Sequence, residues 1–291
     1  MNRLAQTLKN GAMALTAECL PPHGADAAAV RQLATLLPHR LDAVVVAESG
    51  LACAAILAGE KHETLLTLTT RDRNRMALEA DALGAAQLSV SGVLCSSGDH
   101  QSLGSRAEPR AAGAYDVDSV QLLQGLKRMC DGGIDFAGRR LDAAPALLLG
   151  ASAAPYLRPM ELNLLRVRKK VAAGAAFLIT QAVFDLPPFV AWMDAVRAAG
   201  IDQRVAIMAG VLPLTSVEQA RRLATEGTYA PVDAGTIERM GKASDPIKEG
   251  IAIAAETARK LKAMAGVRGI HVFAGGCEAS VASVIQEAGL A

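Results

Sequence analysis

The chain alternates between short apolar runs and longer segments in which apolar residues recur every three or four positions. The short runs are typical of buried strands, and the periodic segments are typical of amphipathic helices. Because runs and periodic segments alternate, the pattern indicates parallel strands joined by helices. It predicts eight strands, at residues 15–19, 42–47, 64–69, 87–94, 145–150, 177–181, 206–210 and 269–273.

A helix is predicted after every strand, which is the element count of a (β/α)8 barrel. We therefore predict an α/β fold: a single TIM barrel in one domain over residues 1–291, with a helical insertion at residues 231–240 before the last strand. An open doubly wound sheet would require a Gly-rich turn after the first strand, where this chain has Pro21-Pro22. Residues 101–114, rich in Gly, Ser, Pro and Arg, predict a long loop.

One segment shows how each strand of the predicted barrel ends. A helix with the basic pair Lys169-Lys170 in its last turn is followed by Gly174, which accepts the left-handed geometry of a helix C-terminus. The apolar run 177–179 then predicts a buried strand, and Thr180-Gln181 break its apolarity. In a parallel barrel this is the end at which side chains meet ligands.

Composition excludes several classes of partner. Hydrophobic residues make up 51% of the chain and charged residues 20%, so it can bury a sizeable core. A net charge of +1 and 3% aromatic residues argue against a nucleic-acid partner. No apolar stretch reaches the ~20 residues that span a bilayer. The five cysteines are scattered and no histidine stands at metal-ligand spacing, which predicts reduced thiols in a cytoplasmic protein without a metal site.

Polar side chains at the predicted strand ends are the candidates for chemistry. Two acids and an amide (Glu18, Asp99 and Gln181) suggest acid–base chemistry around an organic cofactor. Glu18 is flanked by apolar residues, whereas Asp99 follows a glycine and is equally compatible with an ordinary turn. His271 is expected to be a core or rim histidine, and the basic run 71–75 an exposed helix start.

Five motifs in succession resemble the methylenetetrahydrofolate reductase family. They are Ala17-Glu18-Cys19-Leu20-Pro21-Pro22, the stretch 68–74 (LTTRDRN), Ser97-Gly98-Asp99, the stretch 168–185 from RKKVAAGA to ITQ and FD, and Ala209-Gly210-Val211-Leu212-Pro213. Each motif alone is weak, but their order and spacing match along nearly the whole chain. The resemblance implies a flavin-bearing barrel that reduces 5,10-methylenetetrahydrofolate to 5-methyltetrahydrofolate.

The resemblance also implies roles for individual residues. Glu18 is similar to the acid that protonates the folate nitrogen, and Asp99 to the aspartate beside the flavin and the pterin. Gln181 is similar to the amide that binds the pterin, and Gln219 to a second folate contact. FAD rather than FMN is the implied cofactor, and the residues that fall where the family holds it are Thr67, Ser97, Gly98, Asp99, Asp116, Gly150, Asn163, Arg166 and Lys170.

The chain departs from familiar members of the family near the expected flavin. Members that accept electrons directly from nicotinamide have His where Thr67 stands, Arg where Ser97 stands, and an aromatic-rich ending in place of residues 271–278. The ending resembles a shorter bacterial branch, often associated with a second subunit. NADH is therefore a candidate donor, with a partner electron-transfer subunit as the alternative, and an oligomer is expected. Two rival functions stay open: a pterin-dependent methyltransferase and a folate-binding subunit of a larger complex.

Overall fold

The chain folds as a closed parallel barrel. The computed structural model describes residues 2–47, 50–99, 112–226 and 231–290, so the predicted loop at 101–114 lies mostly outside the described residues. Neighbouring strands pair in chain order and the last strand pairs with the first, which confirms the predicted TIM barrel. The strands are β1 (Ala14–Cys19), β2 (Ala43–Val46), β3 (Thr64–Thr69), β4 (Gly92–Ser96), β5 (Leu148–Ala153), β6 (Phe177–Ala182), β7 (Ala206–Val211) and β8 (Val267–Val272).

Helices surround the barrel, and additional helices at residues 234–242 and 246–262 stand between β7 and β8, which confirms the predicted helical insertion. No helix in the described ranges combines the length and the apolar character that a membrane crossing needs. The helices are α1 (Arg3–Lys9), α2 (Ala27–Leu36), α3 (Leu51–Gly59), α4 (Arg75–Gln87), α5 (Ser119–Gly132), α6 (Met160–Ala172), α7 (Leu186–Ala198), α8 (Val217–Glu226), α9 (Ala234–Lys242), α10 (Pro246–Lys262) and α11 (Ala279–Glu287).

Strand alternation divides the apolar residues into two layers. On β1, Leu15, Ala17 and Cys19 join the large cluster between the sheet and the helices, whereas Ala14 joins the smaller cluster inside the barrel. Successive side chains of a strand point to opposite faces, so the strand that buries Ala14 inward also directs Glu18 toward the barrel interior. The inward cluster fills the lower barrel and leaves the carboxyl ends of the strands to polar residues.

The first helix was not predicted from the sequence, and it closes the bottom of the barrel. Leu4 is 1% exposed and belongs to the interior cluster. Asn2 caps the helix at the Ala5 N–H, and its amide also donates to the Ser91 carbonyl at 3.0 Å. The guanidinium of Arg3 donates to the carbonyls of residues 39 and 41. A seven-residue helix is too short to show a periodic pattern, which explains why the sequence did not reveal it.

Two strand boundaries were wrong by several residues. Strand β4 begins at Gly92 rather than residue 87, because α4 continues to Gln87. Strand β5 begins at Leu148 rather than residue 145, so Gly150 lies in its middle and not at its tip. Before β5 the apolar run begins three residues ahead of the strand, and before β4 apolar and polar residues alternate over residues 87–91, so neither pattern marks where pairing begins.

Two helices that border the barrel mouth have well-defined ends. Asp118 is the N-cap of α5, and its carboxylate accepts from the N–H groups of Val120 and Gln121 in a capping box. Helix α6 is followed by Gly174 with φ +107°, as the sequence predicted for this glycine. The capped start of α5 lies at the cavity described next.

Candidate active site

A large cavity opens at the carboxyl ends of the strands. Its volume is about 1130 Å³, slightly above the range of about 300–1,000 Å³ that is typical of small-molecule pockets. This is the end of a TIM barrel at which catalytic side chains gather. Of the predicted site residues, nine line the cavity: Glu18, Thr67, Ser97, Gly98, Asp99, Asn163, Arg166, Lys170 and Gln181.

Glu18 is a half-buried acid on the wall of this cavity. Burial raises the pKa of its carboxyl group from the ordinary value of 4.5 to about 7. Hydrogen bonds from the backbone N–H groups of Gly275 and Ala274 lower the pKa, and the nearby charge of Glu278 raises it again. Desolvation is the largest of these effects, so Glu18 holds a proton close to neutral pH.

Gln181 lines the cavity and has an unused side-chain acceptor. The register of β6 against β7 shifts between Ile179 and Ala182, and this irregularity lets both Thr180 and Gln181 line the cavity. Thr180 Oγ1 accepts from the Gly210 N–H at 3.0 Å and donates to the Gln181 carbonyl at 2.9 Å. The side-chain Oε1 of Gln181 is buried and has no hydrogen-bond partner among the described residues. An unpaired buried acceptor is costly.

His271 is a neutral imidazole on the same side of the cavity. Its Nδ1 lies 2.9 Å from Thr16 Oγ1 on the paired strand. Burial lowers the pKa of the imidazole to about 3. The ring packs edge-on against Phe273, with the ring centroids 4.6 Å apart. The expected buried histidine is therefore confirmed, and it also lines the cavity.

The loop after β4 carries Asp99. Gly98 has φ +72°, and a Cβ there would lie 2.5 Å from the side chain of Thr69, so the turn requires glycine. The Ser96 hydroxyl accepts from the Gly98 N–H at 3.2 Å, and Arg71 Nη1 donates to the Asp99 carbonyl at 3.2 Å. These bonds fix the loop that carries the Asp99 carboxylate.

The sequence suggested that Arg71 belongs to an exposed helix start, but the structure buries this residue. It is 7% exposed and makes a bidentate ion pair with Asp72, at 2.6 and 2.7 Å. Through its hydrogen bond to the Asp99 carbonyl, the Arg71 guanidinium stabilises the loop that carries Asp99. The sequence offered one signal for it, which is the adjacent Asp72 that supplies a planar partner.

Two further cavity residues, Thr67 and Ser97, carry hydroxyl groups. Thr67 is a half-buried cavity residue on β3. The Ser97 hydroxyl donates to Ser119 Oγ at 3.0 Å, which joins the tip of β4 to the first turn of α5.

The α6 side of the cavity is cationic. Lys170 Nζ donates to the Ser152 carbonyl at 2.6 Å, and burial lowers the pKa of its ammonium group to about 8. Arg166 lies one turn earlier and is exposed to solvent. Asn163 uses its amide structurally: Nδ2 donates to the Ala154 carbonyl at 2.8 Å, and Oδ1 accepts from Trp192 Nε1.

Three predicted site residues do not line the cavity in the described structure. Asp116 makes a bidentate ion pair with Arg75, at 2.7 and 2.9 Å. Gly150 lies beneath the Phe177 ring, which a Cβ would approach to 2.1 Å. Gln219 Oε1 accepts from the Thr215 N–H at 2.8 Å. Their predicted contacts with FAD or folate stay predictions.

Comparison with known proteins supplies a family. A family model described as methylenetetrahydrofolate reductase matches residues 3–289. "Methylenetetrahydrofolate reductase 1" of Schizosaccharomyces pombe is 32% identical over 127 residues, which are 43% of this chain and 21% of that protein. The Escherichia coli "5,10-methylenetetrahydrofolate reductase" is 37% identical over 70 residues, 24% of this chain and 23% of that protein. The matched segments thus span about a fifth of these relatives' lengths.

A solved structure has the same fold. It is titled "Uncharacterized protein from Clostridium thermocellum binds two copies of 5-methyl-5,6,7,8-tetrahydrofolic acid". The TM-score is 0.66 at 14% identity, and the match covers 99% of this chain and 100% of that one.

Proposed function

The chain belongs to the methylenetetrahydrofolate reductase family, and we propose that it interconverts 5,10-methylenetetrahydrofolate and 5-methyltetrahydrofolate with a bound flavin. The observation that carries the proposal is Glu18. Its carboxyl group lines the cavity and has a pKa raised to about 7 by burial. Such an acid keeps its proton near neutral pH and can donate it to a ring nitrogen of the folate.

Gln181 would recognise the pterin part of the substrate. A pterin carries N–H groups in the plane of its ring, and the unpaired Oε1 of Gln181 is a buried acceptor on the cavity wall. Pairing with a ligand N–H would remove the cost of leaving that oxygen unsatisfied. Binding of 5-methyltetrahydrofolate by the Clostridium thermocellum protein of the same fold supports a folate as the ligand.

The opposite side of the cavity fits a flavin that carries phosphate. Arg166 is exposed and makes no hydrogen bond to another described residue, and Lys170 lies beside it on α6. Guanidinium and ammonium groups are the usual partners of phosphate. We propose that they hold FAD, with Thr67, Ser97, Gly98 and Asn163 along the same side. When bound, a flavin would supply or accept the hydride of the reaction.

Asp99 would act through its charge. Protonation and opening of the folate ring produce a cationic one-carbon unit, and a carboxylate near it stabilises that cation. The backbone around Asp99 is held by Ser96 and Arg71, so its position is set before a ligand binds. Preorganised charges of this kind cost no rearrangement during the reaction.

For the electron donor we propose a partner protein rather than NADH alone. Thr67 and Ser97 replace larger residues of relatives that use nicotinamide, and both line the cavity. A nicotinamide ring must come within about 3–3.5 Å of the reacting atom, so a widened rim would hold it poorly. A cytoplasmic, oligomeric enzyme is part of the same proposal.

The test is an anaerobic single-turnover experiment on the purified full-length chain. We expect a flavin absorption spectrum, and oxidation of the photoreduced flavin on mixing with 5,10-methylenetetrahydrofolate. A colourless protein that still binds folate would favour the methyltransferase alternative. A flavin that folate cannot oxidise would favour the folate-binding subunit. Flavin reduction by NADH alone at the rate of folate turnover would contradict the proposed partner protein.

A further inference from the structure

The loop between β8 and α11 holds the carboxyl group of Glu18. The backbone N–H groups of Ala274 and Gly275 donate hydrogen bonds to it. Gly275 and Gly276 have φ of +60° and +87°, a conformation that other residues rarely adopt. A Cβ on Gly275 would also lie 2.7 Å from the Leu212 side chain. The two glycines therefore let the loop turn its N–H groups toward the acid.

Glu278, at the end of this loop, reaches away from its own helix. It occupies the N-cap position of α11, but its carboxylate makes no capping bond there. Oε1 instead accepts from the Leu20 N–H at 3.2 Å, and the residue is 8% exposed. Leu20 belongs to the segment after β1 that lines the cavity. Glu278 thus joins the two loops that flank Glu18.

The negative charge of Glu278 acts on other acidic groups. Its charge acts on Glu18 and Cys19 of β1 and on Cys53 of α3, and all three become negative when they lose a proton. Within the described part of the chain, Glu278 therefore adds negative potential to a site that already resists ionisation. Two carboxyl groups in one buried region cannot both ionise easily.

We propose that Glu278 is a positioning residue for Glu18: it fastens the β8–α11 loop to the β1–α2 loop and thereby presents the Glu18 carboxyl group to the cavity. Its negative charge also opposes ionisation of Glu18, which favours the protonated acid. The catalytic meaning of this arrangement rests on the proposed function, whereas the contact itself does not. None of the five motifs that resemble the family includes Glu278, and no role was predicted for it from the sequence.

The experiment compares Glu278→Gln, Glu278→Ala and the control Glu287→Gln in the full-length protein. The amide of Glu278→Gln can still accept from the Leu20 N–H but has no charge. Glu287 lies exposed at the other end of the same helix, so its substitution makes the same charge change away from the cavity. The first readout is a carbon-13 NMR titration of the Glu18 carboxyl group, assigned by its loss in Glu18→Gln.

In Glu278→Gln, we expect the pKa of Glu18 to fall by about half a unit or more, because a like charge has been removed. The alkaline limit of kcat/KM for methylenetetrahydrofolate reduction should move to lower pH by the same amount. Glu278→Ala should show the same pKa shift and should also lower kcat, because it loses the contact between the two loops. Glu287→Gln should change neither the pKa of Glu18 nor kcat. A Glu18 titration that is the same in wild type and Glu278→Gln would overturn the proposal. A shifted titration in a protein without any folate turnover would support it and instead refute the proposed function.

Discussion

The two sides of the cavity differ in charge. One side is formed by Glu18 of β1, Gln181 of β6 and His271 of β8, and it is neutral. Burial raises the pKa of Glu18 to about 7 and lowers the pKa of His271 to about 3. The other, with Arg166 and Lys170 on α6, carries positive charge. We call them the neutral side and the charged side.

The difference shows which ligand part each side suits. The neutral side can exchange a proton and pair with an uncharged ring, because removing uncharged groups from water costs much less free energy than removing charged ones. The charged side can neutralise phosphate while it stays in contact with solvent. Substitutions on the neutral side should therefore affect chemistry and pH dependence, and those on the charged side should affect cofactor affinity.

The largest effect is expected from Glu18→Gln. Removing a general acid typically lowers the rate ~10²–10⁴-fold, so folate turnover should fall by that factor. Flavin affinity should be unchanged, because the acid lies on the neutral side. Stopped-flow oxidation of the reduced flavin by methylenetetrahydrofolate measures the first quantity, and a flavin titration measures the second. Near-normal turnover would remove Glu18 from its proposed role.

The same variant should change how stability depends on pH. The carboxyl group titrates at about 7 when folded, against an ordinary value of 4.5, so between these pH values the folded state keeps a proton that the unfolded chain has lost. The free energy of unfolding should therefore fall as pH rises from 4.5 to 7, by roughly 3 kcal/mol. Glu18→Gln cannot ionise and should lack this decline.

Denaturant unfolding of both proteins at pH 5 and pH 8 checks this expectation. Other titrating groups are common to the two proteins, so they cancel in the difference between them. Parallel pH dependence in wild type and variant would mean that Glu18 is not desolvated.

The sequence predicted the barrel because its signal is repeated. Each strand and helix carries an independent apolar pattern, and short elements must fit the same alternation. The exceptions have physical causes. The short α1 has too few residues to show periodicity, and the burial of Arg71 depends on an ion pair with its neighbour Asp72.

The candidate site was only partly predictable. Strand-end position and family resemblance identified Glu18 and Gln181, which both line the cavity. They could not show that Asp116 is ion-paired with Arg75, or that Gly150 lies under Phe177, because both depend on three-dimensional packing. Nor could they indicate Glu278, whose partner Leu20 is 258 residues away in sequence.

On the charged side, Arg166→Ala should weaken flavin binding. A hydrogen bond to a charged group contributes ~1.5–3 kcal/mol, so the dissociation constant should rise ~10- to 150-fold. Arg168→Ala is the matched control, because Arg168 is an exposed arginine on the same helix that does not line the cavity. Fluorescence titration of the apoprotein with FAD measures both. Equal effects from the two substitutions would indicate general electrostatic attraction rather than a phosphate contact.

The smallest effect separates binding from stability within the neutral side. Gln181→Leu removes a buried acceptor that has no partner in the described structure, so the free energy of unfolding should stay the same or rise by up to ~1 kcal/mol. Folate affinity should nevertheless fall by ~1–3 kcal/mol, since the ligand N–H would lose its acceptor. Thr180→Val is the control on the adjacent residue: its hydroxyl is already paired, so its loss strands the Gly210 N–H and should lower stability by ~1–3 kcal/mol. Denaturant unfolding of the ligand-free proteins and folate titrations distinguish the two patterns. If Gln181→Leu destabilises the protein as Thr180→Val does, the Gln181 amide is structural and its unpaired oxygen does not mark a folate contact.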